Sequence, residues 1–262
     1  MTHPQWQERT ELLLKKENLE KLFRAHVFVA GLGGVGAYAA EMLCRAGIGS
    51  LTIADGDQVN PSNRNRQLLA LSTTEGERKT RLMKARLLDI NPGLNLRALD
   101  IFLRDERTDE ILNTPFDYVV DAIDTLSPKI FLINRTVKNG LPLVSSMGAG
   151  GKLDPLQVKV SDFANTYHCN LAKLLRKRLR KLGIENGFKA VFSSEKCMED
   201  TISYVEDEPN KKTTVGTISY MPAVFGCVCA SVVIRELLGM PVEMAAPPRL
   251  RKGSRGNRLP LG

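Results

Sequence analysis

Residues 27–36 read Val-Phe-Val-Ala-Gly-Leu-Gly-Gly-Val-Gly. Val27 to Ala30 is an apolar run suited to a buried strand, and Val35 to Ala46 is an Ala-rich apolar run suited to a helix. Between them Gly31, Gly33 and Gly36 stand at the GxGxxG spacing, with Gly34 as a further glycine in the turn. A strand, a glycine turn and a helix together make a phosphate cradle. Glycine lets the backbone approach a phosphate, and the helix N-terminus supplies unpaired N–H groups and the positive end of a dipole. An acid that holds a ribose belongs at the end of the following strand, about 20 residues on. Leu51 to Ala54 supplies that strand and Asp55 that acid. Alone, the pattern says nucleotide, with NAD as the ordinary first reading and a ligand-free turn of an α/β fold as the plain one.

The loop that follows, Gly56 to Gln67, is dense in hydrogen-bonding groups: Asp57, Asn60, Ser62, Asn63, Arg64, Asn65 and Arg66. An NAD dehydrogenase has no need of two arginines directly after its ribose-binding acid. An enzyme that holds a triphosphate does, because arginine presents a fixed fork of donors to phosphate oxygens. Residues 77–90 then read as a basic amphipathic helix with Leu82, Met83, Leu87 and Ile90 inward. Lys79, at its N-terminal end, fits a phosphate contact and a solvated helix lysine equally well.

Farther out, Leu94 to Leu99 is a short strand candidate, and Phe116 to Asp124 is a stronger one that ends in two acids, Asp121 and Asp124. Open α/β sheets bind ligands at strand C-termini, and a carboxylate there beside a nucleotide is a natural Mg²⁺ ligand. A helix over 128–139, a strand over 141–145, a second glycine cluster (Gly148, Gly150 and Gly151) and a strand over 157–160 continue the alternation. Residues 171–183 place Leu171, Leu174, Leu175, Leu179 and Leu182 on one helical face. Lys173, Arg176, Lys177, Arg178, Arg180 and Lys181 take the other, which reads either as a solvated face or as a nucleic-acid contact. Residues 184–216 are mixed in polarity, with a flexible loop expected around Glu206 to Lys212. Residues 213–234 carry no charge. A membrane contact is possible there on length, but Pro222, Gly226 and the small residues favour a core helix over about 218–239. On the N-terminal side, residues 9–24 form an amphipathic pattern preceded by an exposed Arg9, which local sequence alone leaves as a solvated arginine.

Composition bounds these readings. The chain has 262 residues, 43% hydrophobic and 25% charged, which suits one domain over 1–246 followed by a basic, disordered tail over 247–262. The net charge of +8 is concentrated: residues 171–183 hold six Lys/Arg and residues 249–262 hold five, and without those eleven the body has 26 basic against 29 acidic residues. Two basic patches on a slightly acidic body suit a polyanionic partner. Five cysteines at 44, 169, 197, 227 and 229 form no CxxC pair. An odd number, with no secretory signal in the polar N-terminus, points to reduced thiols in the cytoplasm.

The glycine cluster, Asp55, the run Ser62 to Gln67, Lys79 and the Asp121-Ala122-Ile123-Asp124 segment together resemble the ATP-dependent adenylating superfamily, which includes ubiquitin-activating enzymes and the bacterial activators of sulfur-carrier proteins. The resemblance spans about residues 9–165. It implies a Rossmann-like, doubly wound α/β sheet of the ubiquitin-activating-enzyme type with additional C-terminal strands and helices. It implies ATP and Mg²⁺ as ligands. Gly31, Gly33, Gly34, Gly36, Asp55 and Asp57 would line the nucleotide. Asn63, Arg66 and Lys79 would contact phosphates, Asp124 would hold Mg²⁺, and Arg9 would cross a homodimer interface onto the partner's ATP.

Within that superfamily the chain is similar to the tRNA threonylcarbamoyladenosine dehydratase group in four stretches. These are Arg9 to Leu13, Asp121 to Asp124, Gly148 to Gly150 with Asp154-Pro155, and Leu171-Ala172-Lys173 opening the basic helix. Cys169-Asn170 replaces the Asp-Pro usual before Leu-Ala in that group. The implied function is ATP-dependent dehydration and cyclisation of threonylcarbamoyladenosine in the tRNA anticodon loop, through adenylation of the threonyl carboxylate. Lys173, Arg176, Lys177 and Arg180 would contact the tRNA, and a sulfur-transfer partner of the cysteine desulfurase type remains open. The alternative is adenylation of the C-terminus of a ubiquitin-like sulfur carrier. Many such enzymes hold zinc through two CxxC pairs and use a catalytic cysteine. Neither pair exists here, so no zinc is expected, and Cys169, Cys197, Cys227 and Cys229 receive no covalent role. An NAD oxidoreductase is disfavoured by Arg64 and Arg66, and a non-catalytic RNA-binding module by the full set of ATP-site residues.

Overall fold

The computed structural model describes residues 4–197, 201–204 and 213–246. The helices are α1 (Glu8–Leu14), α2 (Lys16–Arg24), α3 (Gly36–Ala46), α4 (Lys79–Ile90), α5 (Asp105–Leu112), α6 (Leu126–Lys138), α7 (Asn170–Arg180) and α8 (Tyr220–Leu237). The strands are β1 (His26–Ala30), β2 (Ser50–Ala54), β3 (Asn95–Leu99), β4 (Tyr118–Asp121), β5 (Leu143–Ser146), β6 (Val158–Asp162), β7 (Lys189–Ser193), β8 (Ile202–Tyr204) and β9 (Thr213–Val215). Seven strands form one sheet in the order β3-β2-β1-β4-β5-β7-β6, and β8 and β9 form a separate antiparallel pair. All neighbours in the large sheet are parallel except the edge strand β6. This is the mixed α/β, Rossmann-like architecture expected from the alternation of strand and helix patterns.

Both faces of the sheet are covered, which is why its central strands are apolar throughout. Val27 and Val29 face one core, shared with α2, α3, α4 and α8; Phe28 and Ala30 face the other, shared with α5, α6 and α7. Strand ends are in register. Ala30 pairs with Ala54 on one side and Asp121 on the other, and Asp121 pairs with Ser145. Gly31, Asp55, Ala122 and Ser146 therefore share one rim, and the direction of strand progression reverses between β1 and β4. An open α/β sheet forms its ligand crevice at such a reversal.

Several expectations are corrected. The pattern over 9–24 is two helices, broken at Lys15 with φ +68°, which re-aims Leu19 and Leu22 into the core. Arg9 lies within the first turn of α1 rather than ahead of it. The strand expected over 116–124 covers only Tyr118–Asp121, so Asp121 closes it and Asp124 sits in the loop beyond. The helix expected from residue 77 begins at Lys79. On α7, Leu175 and Leu179 are buried, but Leu174 is 49% exposed, and Leu182, just past the helix end, is 43% exposed. Residues 184–216 contain β7, inserted between β5 and β6. Its Ala190 to Ser193 segment is buried on both faces and shows no alternation for sequence to reveal. Helix α5 was not anticipated, because its DERTDEIL sequence buries only Thr108, Ile111 and Leu112 among its described side chains. The loop expected near 206–212 and the tail over 247–262 lie outside the described residues.

Helix α8 is long and apolar enough to cross a membrane. One face of it, including Met221, Phe225, Cys229 and Val233, is buried in the core. It crosses α3 at close range. A Cβ on Gly226 would stand 2.4 Å from the Val35 carbonyl oxygen, and one on Gly34 would stand 2.9 Å from Pro222 Cβ. The C-terminal helix thus buttresses the glycine turn.

Candidate active site

Gly31 leaves β1 with φ +89°, and a Cβ there would meet the Ala122 carbonyl oxygen at 2.9 Å. A Cβ on Gly36 would stand 1.8 Å from the Gly31 carbonyl oxygen. No side chain fits either position, so the turn is held tight against the N-terminus of α3, where the helix dipole favours an anion. Gly33 faces the Gln67 side chain, whose Oε1 is buried without a hydrogen-bond partner. A cradle closed to Cβ atoms, with an orphan acceptor beside it, fits a nucleotide that brings its own donors.

Asp55 follows β2. Its Oδ2 accepts the Leu32 N–H at 2.6 Å and its Oδ1 accepts the Asp57 N–H at 2.8 Å. Burial pushes the Asp55 carboxyl above its usual range, opposed by the Lys79 charge and by these two N–H groups. Lys79 Nζ donates to Asp57 Oδ2 at 2.9 Å. The Lys79 side chain is buried, so it is not a solvated helix lysine. Asp57 is exposed.

The loop over 60–67 is organised by its own polar groups. Asn60 caps the turn Pro61–Asn63, and Asn63 Oδ1 accepts the Asn60 N–H at 3.1 Å. Arg66 Nη1 donates to the Ser62 carbonyl at 2.9 Å and to Asn65 Oδ1 at 2.7 Å. Asn65 Nδ2 donates to the Thr217 carbonyl at 2.9 Å. That bond ties the loop to the segment after β9, where the Gly151 N–H donates to the Gly216 carbonyl at 2.8 Å. The expected phosphate residues Asn63 and Arg66 therefore rest on their own loop.

Asp124 is exposed beyond β4. Mg²⁺ is commonly held by one or two carboxylates together with substrate phosphates, and Asp124 fits that donor set. No group of three or more His, Cys, Asp or Glu able to hold a metal occurs among the described residues. Asp121, the other acid of that segment, is fully buried: its Oδ2 lies 2.7 Å from Lys129 Nζ and accepts Ser145 Oγ at 2.6 Å. Sequence reasoning missed Lys129 and Ser145. The available signal was a lysine near the start of α6 beside the apolar run Ile130 to Ile133.

Arg9 is not part of this group within the chain. It follows Gln7, whose Oε1 would lie 2.7 Å from a Cβ on Gly47, the residue that ends α3. The cradle is at the opposite end of α3, about 16 Å away for an 11-residue helix.

Helix α7 begins beside the second glycine cluster. Cys169 Sγ accepts the Ala172 N–H at 3.5 Å and would lie 3.5 Å from a Cβ on Gly148. Gly148 leaves the β5 rim, so the basic helix starts at the nucleotide end of the sheet. Lys173, Lys177, Arg180 and Lys181 are exposed along an open groove. Arg176 departs from the expected solvent face. It is half-buried, its Nη1 donates to the Thr166 carbonyl at 2.8 Å, and burial lowers its pKa. Burial pushes the Cys229 thiol up to about 12 and the Cys44 thiol up to about 11, which makes neither a ready nucleophile.

The model of the ThiF family matches residues 7–254. The tRNA threonylcarbamoyladenosine dehydratase of Bacillus subtilis is 40% identical over 237 residues, covering 88% of this chain and 93% of that protein. The crystal structure of the Escherichia coli enzyme of the same name, TcdA, in complex with ATP superposes with a TM-score of 0.83 at 33% identity, covering 91% of this chain and 97% of that one. A sulfur carrier protein adenylyltransferase of Thermus thermophilus is 37% identical over 128 residues, covering 49% of this chain.

Proposed function

The chain belongs to the ThiF family, and from that membership we propose that it dehydrates threonylcarbamoyladenosine on tRNA to the cyclic form, with ATP as co-substrate. A carboxylate is a poor electrophile because its oxygen leaves badly. ATP supplies a better leaving group: adenylation of the threonyl carboxylate releases pyrophosphate, and attack by the neighbouring carbamoyl group then closes the ring and expels AMP. The protein's work is positioning and charge neutralisation. The glycine turn and the N-terminus of α3 receive phosphate, Asp55 receives the ribose, and Lys79 and Arg66 turn to the phosphates as the nucleotide enters. Asp124 would hold Mg²⁺, which screens phosphate charge.

The observation that carries this reading is the shared rim. The cradle after β1, Asp55 after β2, Asp124 after β4 and the glycine cluster after β5 that leads to the basic helix all open on one edge of the sheet. A nucleotide and a polyanion can meet there. Lys173, Lys177 and Arg180 hold the tRNA backbone, with Arg176 anchoring the start of that surface through Thr166. Modification of a carrier protein is the second reading. It shares the nucleotide crevice, but the long relatives that span most of this chain are dehydratases and favour the first.

The distance of Arg9 from its own cradle supports a homodimer in which each Arg9 serves the other protomer's nucleotide. The buried face of α8 and a tRNA substrate support a cytoplasmic enzyme.

The test is incubation with ATP and tRNA bearing the open base, followed by mass analysis of the nucleosides. Loss of one water that depends on ATP is expected. An unchanged nucleoside together with AMP transfer to a carrier-protein C-terminus would favour the second reading.

A further inference from the structure

Beneath the crevice lies a charged group to which no ligand contact is assigned. Asp121 and Lys129 are each 0% exposed and face each other across the C-terminal end of β4 and the first turn of α6. Lys129 Nζ stands 2.7 Å from Asp121 Oδ2 and donates to the Ile123 carbonyl at 3.0 Å. Asp121 Oδ1 accepts the Ile123 N–H at 3.2 Å, and Oδ2 also accepts Ser145 Oγ at 2.6 Å. Both polar groups of the Ile123 backbone are therefore gripped by one ion pair, and β5 holds the pair from the side.

Two physical arguments say that this arrangement is not there for stability. A buried ion pair is often no better than apolar side chains of the same volume, because desolvation consumes the Coulomb gain. A lysine in the first turn of a helix also opposes the helix dipole, and α6 has no acid in that turn to offset it. What the pair does specify is the path of three residues. Ala122 donates its N–H to the Ala30 carbonyl at 2.9 Å, and its own carbonyl oxygen stands 2.9 Å from where a Cβ on Gly31 would be. Ile123 is clamped, and Asp124 comes next. The same short segment is packed against the phosphate turn at one end and presents the exposed carboxylate at the other.

We propose that Lys129 is a positioning residue for the nucleotide reaction: through Asp121 and the Ile123 backbone it fixes Asp124 relative to the glycine turn, without touching the nucleotide itself. Lys79 differs in its partner: it pairs with the exposed carboxylate of Asp57 at the crevice, whereas the carboxylate that faces Lys129 is itself buried. The inference rests on the ATP reading of that crevice, and a wild-type protein that binds no ATP would remove that reading rather than test this one.

The experiment compares Lys129→Met with the paired variant Lys129→Met/Asp121→Asn, using melting temperature and calorimetric titration with ATP and with adenosine. The single variant leaves a buried carboxylate uncompensated and melts lower. The paired variant carries no buried charge and regains most of the melting temperature. With the loop no longer clamped, its ATP affinity is expected to stay about tenfold or more below wild type, in the range seen when supporting partners are removed. Its adenosine affinity should be unchanged, because the defect lies at the phosphate end. Wild-type ATP affinity in the paired variant, or an equal loss for ATP and adenosine, would overturn the proposal. If the paired variant does not fold, Ser145→Ala decides, since it removes one bond to Asp121 and no charge. Weaker ATP binding at an unchanged melting temperature supports the positioning role, and unchanged binding overturns it.

Discussion

The Lys79 ammonium lies 2.9 Å from Asp57 Oδ2, yet Lys79 is 4% exposed while Asp57 is open to solvent. The carboxylate occupies the lysine without burying itself, as a placeholder for an incoming anion would. Lys79→Met should therefore reduce ATP affinity by about 10- to 100-fold, the worth of a charge-assisted hydrogen bond, with the melting temperature nearly unchanged. Calorimetry and thermal melting check this. A large loss of stability with ATP affinity intact would return Lys79 to a structural role.

Gly226 permits α8 to cross α3 at the first turn of the cradle helix, with the Val35 carbonyl 2.4 Å from the Cβ position. Gly226→Ala must separate the two helices. A destabilisation of about 1–3 kcal/mol is expected. ATP affinity should fall with it, whereas an equally destabilising change far from the cradle would leave affinity alone. Denaturant unfolding and ATP titration of both variants make the comparison.

Arg9 belongs near the end of α3 that is remote from its own cradle. Arg9→Ala and Asp124→Ala should each be inactive alone, and a mixture allowed to exchange subunits should regain dehydration activity. One site of the heterodimer then receives Arg9 from one chain and Asp124 from the other. Purified heterodimers with no activity would rule out exchange of Arg9 between protomers.

The exposed cations of α7 predict a salt signature. Lys173→Glu, Lys177→Glu and Arg180→Glu should each flatten the log–log salt dependence of tRNA binding by about one unit and leave ATP binding as it was. Arg176→Ala should behave differently: with its bond to Thr166 lost, it should lower the melting temperature. Identical salt slopes for wild type and the three Glu variants would make this helix a solvated face.

Glu41 supplies a pH test. It is buried on α3 and bonded to Arg45 at 2.8 Å and to Arg86. Burial alone would raise its carboxyl, but the two arginines outweigh it and hold the pKa below the ordinary glutamate range. A lowered folded-state pKa means stability that is present above about pH 4.5 and is lost as pH falls through the folded value. Glu41→Gln should cost stability at neutral pH, and its melting temperature should converge on wild type in acid. Parallel curves down to pH 3 would contradict the assignment.

The nucleotide crevice is legible in the sequence because its parts are local. Gly31 and Gly36 must be glycines for reasons of backbone clearance, and Asp55 follows its strand directly. Lys79 is harder: the spacing places it at a helix start, but only tertiary packing buries it. Lys129 is illegible, since a single lysine in α6 acquires meaning only when β4 and β5 bring Asp121 and Ser145 to it. Arg176 fails for a related reason. Helical periodicity assigns it to the charged face, and the Thr166 loop then folds up against it. Strand β7 escapes because a strand buried on both sides shows no alternation.

The contact between Gly34 and Pro222, together with the bond from Asn65 to Thr217, orders events in the life of the chain. The cradle leaves the ribosome well before the helix that seats it. A nascent chain that ends before α8 carries the whole glycine motif and has nothing to press it into shape. Folding of the nucleotide site waits on closure of a loop that spans most of the sequence, a slow and cooperative step. A chain cut before α8 is thus expected to keep every glycine of the motif and to lose ATP binding.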